Sequence, residues 1–283
     1  MSCAGSVRVA AAYPVRLLPT RLRLRHYVRM DLGLEGRVYV VTGASRGLGF
    51  AAAEALVADG ARVALCSRDE DALRAAADRL GGSEHALAVP GDIGDPATTS
   101  RLVAASMAKY GRLDGALVSV GGPPTGTVVG LADEQWRSAF DSVFLGPLHM
   151  ARATAHEIGE EGGSIAFVLS TSVKSPIEGL ALSNAFRPAL AMTAKTMADE
   201  LGSRHIRVNG LMPGRIDTER LRELESSGGR PVSSRREWER QIPLGRYGEA
   251  AEFGKVAAFV LSPAASYVNG AMVPVDGGML RSL

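Results

Sequence analysis

The stretch Thr42-Gly43-Ala44-Ser45-Arg46-Gly47-Leu48-Gly49 sits between an apolar run, Val38 to Val41, and an Ala-rich segment that continues to Asp59. Leu48, Ala52 and Leu56 recur at helical spacing, so the local order is strand, glycine turn, helix. Glycines at 43, 47 and 49 permit a tight turn and let backbone N–H groups approach a pyrophosphate. They set that anion at a helix N-terminus, where aligned peptide dipoles favour negative charge. The same alternation continues outward. Arg62 to Cys66 reads as a second strand and Asp69 to Leu80 as a second helix, with Asp69 as its N-cap. Further strands are predicted at Ala86–Val89, Ala116–Val120, Ile165–Leu169, Ile206–Leu211 and Met272–Val275, with helices between most of them. Seven apolar strands separated mostly by helices predict an α/β protein whose mostly parallel sheet is covered on both faces. No linker divides the chain after Gly36, so residues 31–283 read as one domain.

A ribose 2′-hydroxyl binder would carry Asp or Glu at the end of the second strand, about twenty residues after the glycines. Ser67 and Arg68 stand there instead. A guanidinium holds a phosphate through paired N–H donors, and Arg46 in the glycine turn can approach the same group from the other side. The pattern favours NADP(H) over NAD(H). A polar, charged stretch at about 217–245, including Glu225-Ser226-Ser227-Gly228-Gly229-Arg230, follows the sixth strand and reads as a long loop, an insertion on the substrate side.

Composition narrows the function classes. The chain has 283 residues, 46% hydrophobic and 22% charged, with only 5% aromatic, which argues against disorder and against an aromatic-rich carbohydrate or nucleic-acid binder. The net charge of +2 conceals six arginines and no acid in residues 1–30, leaving 26 basic against 30 acidic groups in the body. A mildly acidic body lacks the basic stripe of a nucleic-acid protein. The Arg-rich extension reads as a disordered tail, with a transit-type peptide as the alternative. Cys3 and Cys66 are too few for a disulfide framework or a cysteine zinc site, so a reducing, cytoplasmic setting is expected. His149 and His156 lack companions for a metal set. The uncharged stretches 115–132 and 257–275 are broken by Gly and Pro and make poor lipid helices.

With these motifs in order, the chain from Leu34 onward resembles the short-chain dehydrogenase/reductase superfamily. The resemblance rests on residues 42–49, Gly91-Asp92-Ile93, Val208-Asn209 leading to Pro213-Gly214 and Thr218, and Val275-Asp276-Gly277-Gly278. It implies a Rossmann-type, doubly wound, seven-stranded sheet. It also implies that Gly43, Ser45, Arg46, Gly47, Leu48 and Gly49 hold the pyrophosphate side, with Ser67 and Arg68 at the adenosine ribose. Asp92 and Ile93 would border the adenine, and Gly121, Pro213, Gly214, Ile216 and Thr218 the nicotinamide. Relatives pair through their fourth and fifth helices and last strand, which implies a homo-oligomer, dimer or tetramer.

The family's catalytic set is Asn, Ser, Tyr and Lys, and the same resemblance puts Val143, Ser170, Ser183 and Arg187 at those positions, with Ser172 a second choice for the serine. Ser119-Val120-Gly121-Gly122 replaces the usual Asn-Asn-Ala-Gly. An aliphatic hydroxyl is a far weaker acid than a phenol, and Arg187 stays protonated where a lysine can relay a proton, although it can still offer charge and donors to the cofactor's ribose. Pro188 disfavours helical geometry at Arg187 and predicts that Ser183 and Arg187 lie on a loop before the helix. Lys174 is the nearest spare cation. The reading is an NADP(H)-dependent oxidoreductase of a carbonyl/alcohol substrate, 3-oxoacyl thioesters among the candidates. The rival is an NADP(H)-binding pseudo-dehydrogenase with a sensor or scaffold role.

Overall fold

The computed structural model describes residues 30–227 and 235–282. The Arg-rich stretch 1–29 and Arg230 lie outside the described residues. The chain begins β1 (Val38–Thr42), α1 (Gly47–Ala58), β2 (Arg62–Cys66), α2 (Glu70–Arg79), β3 (Ala86–Ala88), α3 (Pro96–Tyr110) and β4 (Gly115–Val118). There follow α4 (Asp133–Ala139), a π-helical turn at Phe140–Leu145, α5 (Gly146–Glu157), β5 (Gly163–Val168), α6 (Ala181–Leu201) and β6 (Ile206–Pro213). The remainder is β7 (Ile216–Asp217), α7 (Glu219–Ser227), α8 (Arg235–Gln241), β8 (Gly248–Glu249), α9 (Ala250–Leu261) and β9 (Met272–Val275). Helix starts follow local chemistry: the Asp69 carboxylate accepts from Ala72 N at 3.0 Å, Asp95 accepts from Ala97 N at 3.0 Å, and Pro96 opens α3.

Seven strands form one sheet in the order β3-β2-β1-β4-β5-β6-β9, every neighbouring pair parallel. Strand side chains alternate between two separate cores, as a period of two requires. Tyr39, Val41, Val63 and Leu65 face α1, α2 and α9, where Leu56, Leu73 and Phe253 are buried. Val38, Val40, Ala64 and Phe167 face α3, α5 and α6, where Leu102, Met150 and Leu190 are buried. Burial on both faces explains why the strands read as continuous apolar runs. The stretch 115–132 is β4 and the loop beyond it, and 257–275 ends α9 and enters β9. No helix among the described residues is long and apolar enough to cross a membrane.

Two expectations require correction. Ser183 and Arg187 do not lie on a loop: α6 runs unbroken through Pro188. An interior proline costs a helix about 3 kcal/mol, but packing on both sides of it opposes that cost. Leu182, Leu190, Ala191 and Ala194 are all buried, and the Arg187 guanidinium is bonded to the Val168 and Val120 carbonyls. The stretch 217–245 is likewise not a long loop in its described part, since α7 and α8 occupy much of it. Glu225 of α7 accepts from Arg215 at 2.8 Å and from the Tyr247 hydroxyl at 2.6 Å, and the Arg215 guanidinium lies over the Trp238 ring of α8 at 3.3 Å. Burial and the bond to Glu225 push the Tyr247 hydroxyl up to about 12.

Asp114, 3% exposed before β4, accepts from Arg37 at 2.8 Å, from Val38 N at 2.8 Å and from Arg112 at 2.8 and 2.6 Å. It joins the start of β1 to the start of β4. Asp114→Ala leaves the buried Val38 N–H without a partner, while the two arginines, partly exposed, regain water. We expect a loss of about 2–3 kcal/mol in urea unfolding. A loss under about 0.5 kcal/mol would remove Asp114 as the fastener of the sheet.

Candidate functional site

The strand order reverses between β1 and β4, so the chain leaves these neighbours toward opposite faces and a crevice opens beyond their C-terminal ends. The turn 42–49 lies there. Gly43 and Gly47 have φ of 60° and 61°, the left-handed region that a side chain rarely tolerates. A Cβ at Gly49 would run into the Gly43 carbonyl, so α1 can approach the strand end only with glycine there. The α1 N-cap, Arg46, makes no side-chain cap bond, so first-turn N–H groups keep the unfilled donor capacity of a helix start. These features form a cradle that fits a phosphate and would be filled by any larger side chain.

Around this turn the structure gathers most of the sequence-predicted residues at the C-terminal ends of the strands. Thr42 Oγ1 donates to Ser119 O at 2.6 Å and accepts from Ser119 N at 2.8 Å, pinning β1 to the end of β4 beside Gly121. Ser67 O accepts from Gly91 N at 2.9 Å, which zips the end of β2 to the segment carrying Asp92. Arg68 is exposed and stands 3.9 Å from the Asp92 carboxylate. Ile93 is not on the surface; it is 6% exposed and packs in the core. Gly214 N donates to Val275 O at 3.0 Å, carrying Pro213 and Gly214 alongside β9, and buried Ile216 begins the short β7–β8 pair. Thr218 Oγ1 accepts from Leu221 N at 3.3 Å at the start of α7.

The serines and Arg187 form a second cluster. Ser170 Oγ accepts from Ser172 N at 3.0 Å, and Ser172 Oγ lies 3.4 Å from Ser183 Oγ. Ser172 and Ser183 are buried at 4% and 8% exposure, while Ser170 is half-buried. Ser172, the second choice in sequence, is thus the one that touches Ser183. Arg187, 5% exposed, donates to Val168 O and, at 3.5 Å, to Val120 O, so its guanidinium spans the ends of β5 and β4. Its Nε has no hydrogen-bond partner among the described residues. Burial pulls its pKa down to about 10, which leaves it cationic at neutral pH. Lys174 is exposed in the loop after the Thr171–Val173 turn. Val143 is buried inside the π-helical turn, one of the irregularities that recur at functional sites.

Sequence reasoning passed over several participants. Thr42 precedes the glycines and is visible as a hydroxyl at a strand end, yet its partner is 77 residues away. Arg46 pairs with Glu219 and Glu223 of α7, and Arg220 donates to Pro123 O at 3.1 Å, contacts that no spacing foretells. Asn209, read only as a motif letter, donates to Val268 O and accepts from Ala271 N, both at 2.9 Å, and so holds the entry to β9.

The sheet order and the turn at its reversal define a protein of the Rossmann-type α/β class, and comparison with known proteins agrees. A family model described as enoyl-(acyl carrier protein) reductase matches residues 43–280. An uncharacterized oxidoreductase of Methylorubrum extorquens is 34% identical over 250 residues, covering 87% of this chain and 98% of that protein. Dehydrogenase/reductase SDR family member 4 of Homo sapiens is 33% identical over 251 residues, covering 87% of this chain and 88% of its own. The structure of L-sorbose reductase from Gluconobacter frateurii, complexed with NADPH and L-sorbose, superposes with a TM-score of 0.82 at 29% identity, over 90% of this chain and 100% of that one. The chain belongs to the short-chain dehydrogenase/reductase family.

Burial pushes the Cys66 thiol, at the end of β2, up to about 11. At pH 8 the native Cys66 thiolate is therefore scarce and shielded. In a Cys3→Ser protein we expect iodoacetamide to label it at least about 100-fold more slowly than in the unfolded chain. Comparable rates would mean that the β2 end is open to solvent.

Proposed function

We propose that the protein is an NADP(H)-dependent oxidoreductase that moves a hydride between nicotinamide and a carbonyl/alcohol substrate, with 3-oxoacyl thioesters as the first class to test. The observation that carries this reading is the glycine cradle at the strand reversal, backed by a helix start without a side-chain cap. Two relatives support the substrate side: the L-sorbose reductase was complexed with NADPH and its sugar, and the 3-oxoacyl-[acyl-carrier-protein] reductase of Escherichia coli is 29% identical over 249 residues. In this reading Gly43, Ser45, Arg46, Gly47, Leu48 and Gly49 hold the pyrophosphate, while Ser67, Arg68 and Arg46 read the 2′-phosphate. Asp92 and Ile93 border the adenine, with Ile93 acting as packing beneath it. Gly121, Pro213, Gly214, Ile216 and Thr218 flank the nicotinamide. Residues 31–283 are the catalytic domain, α7 and α8 its substrate side, and the working form a cytoplasmic homo-oligomer.

A bound nicotinamide supplies or takes up the hydride. Half-buried Ser170 holds the substrate oxygen, and the Ser172–Ser183 pair walls the pocket behind it. Arg187 keeps a positive charge below the strand ends and favours negative charge building on that oxygen. Ser183 and Arg187 occupy the positions where the family carries Tyr and Lys, and neither replaces a phenol as proton donor. Water then delivers the proton, and the rate comes chiefly from positioning.

One observation favours the rival pseudo-dehydrogenase. Residues 170–201 contain no Tyr, and Arg187 is committed to strand-end carbonyls. Titration of NADPH and NADH, followed by NADPH oxidation with ketones and 3-oxoacyl thioesters, separates the two. Turnover with at least one carbonyl is the expected result; tight NADPH binding with none supports the sensor or scaffold role. Absence of binding by either dinucleotide overturns both. Arg68→Ala is expected to weaken NADPH about tenfold and NADH less than twofold, the value of a charge-assisted bond to phosphate. Equal losses would remove Arg68 as the phosphate reader.

A further inference from the structure

Arg46 stands in the glycine turn, yet its guanidinium is committed elsewhere. Nη1 lies 2.6 Å from Glu219 Oε2 and Nη2 lies 3.8 Å from Glu223 Oε1. The two carboxylates are one turn apart on α7 and therefore present the same face to the turn. α7 reaches across the crevice from the other side as well: Arg220 donates to Pro123 O at 3.1 Å and lies 3.6 Å from Glu223. The base of the helix is fixed by Asp217, which accepts from Arg222 and from Arg235, both at 2.9 Å. Thr218 is the first group that a side chain at Gly47 would meet. The first turns of α7 thus lie against the cradle, and their acids neutralise its one arginine.

We propose that Glu219 and Glu223 set how strongly the site discriminates between phosphorylated and unphosphorylated dinucleotides, by acting as counter-ions that a nucleotide 2′-phosphate must displace from Arg46. The proposal rests on the reading of Arg46 as a 2′-phosphate contact. Among the described residues, Arg46, Arg220, Glu219 and Glu223 are linked as two cations and two anions. A phosphate dianion entering it pairs with Arg46 and repels both carboxylates. The Arg46 contacts are exposed, with side-chain accessibility of 66% for Arg46, 57% for Glu219 and 52% for Glu223. Exposed pairs are weak and exchangeable, so the acids tune the preference by a modest factor and do not block phosphate. Arg68 faces Asp92 at 3.9 Å in a similar way, but that acid lies on the adenine side and leaves α7 untouched. Displacing the α7 acids also loosens the contact between α7 and the cradle, which links occupancy of the phosphate site to the helix flanking the substrate.

The test is a cycle of dissociation constants for NADPH and NADH, measured on the full chain by fluorescence titration. The quantity compared is the ratio of the NADH constant to the NADPH constant, and the general gain that a 2′-phosphate draws from removing nearby negative charge is read separately, from the same acids changed in an Arg46→Ala background. Glu219→Gln/Glu223→Gln is expected to raise this ratio about three- to tenfold, and the same pair in an Arg46→Ala background to leave it within about twofold. The glutamines sit on an exposed helix, and thermal melting checks that each variant folds. An unchanged or lowered ratio in the double variant, while Arg46→Ala alone lowers it, overturns this proposal and leaves Arg46 as a phosphate contact. An Arg46→Ala ratio equal to that of the parent overturns the contact itself and the proposal with it.

Discussion

A single hydroxyl holds the place on which the rest of the molecule depends. Thr42 Oγ1 gives a hydrogen bond to Ser119 O and takes one from Ser119 N, and so fastens the ends of β1 and β4 where the chain turns to opposite faces of the sheet. Several of the segments proposed for the site leave from that fastening. The glycine turn leaves from Thr42, the 119–124 loop leaves from Ser119, and Arg187 reaches Val120 and Val168 just beneath. At the other end of the same strands, Asp114 binds the start of β1 to the start of β4. The crevice therefore opens between two strands clamped at both ends, a rigid support for groups that must be positioned closely.

The electrostatics above that support divide in two. Below the strand ends, Arg187 is a buried cation held through its Nη atoms by the Val168 and Val120 carbonyls, with Nε unpartnered among the described residues; no carboxylate of those residues acts on it, and burial lowers its pKa. Such a charge favours an anion developing on a substrate atom because no mobile counter-ion competes for it. Above, Arg46 and Arg68 are exposed and face acids on α7 and at Asp92. Water and salt screen these pairs, which suits them to exchange partners on binding. The site as proposed thus combines a fixed charge near the chemistry with exchangeable charges at its rim.

The seven strands were legible because burial on both faces makes each an apolar run, and the glycine turn was legible because positive φ leaves a residue signature. Asp69 as an N-cap was legible for a similar reason, since the bond it makes spans only three residues. Pro188 misled because a proline's local cost is visible in sequence whereas the packing of Leu182 and Leu190 that outweighs it is not. The polar stretch after β6 misled in the same way: its charges suggested a loop, yet Glu225 of α7 pairs with Arg215 and Tyr247, and Arg235 of α8 pairs with Asp217.

The sequence by itself determined the order of elements, the parallel sheet and the glycine cradle. These depend on side-chain period and backbone freedom, which act over a few residues. Only the tertiary structure decided that Arg187 lies within a helix and bonds two strand ends, that Ser172 meets Ser183, and that Arg46 faces carboxylates 173 and 177 positions further along the chain. Those outcomes come from folding distant segments together, and no local pattern encodes which charge will stand opposite another.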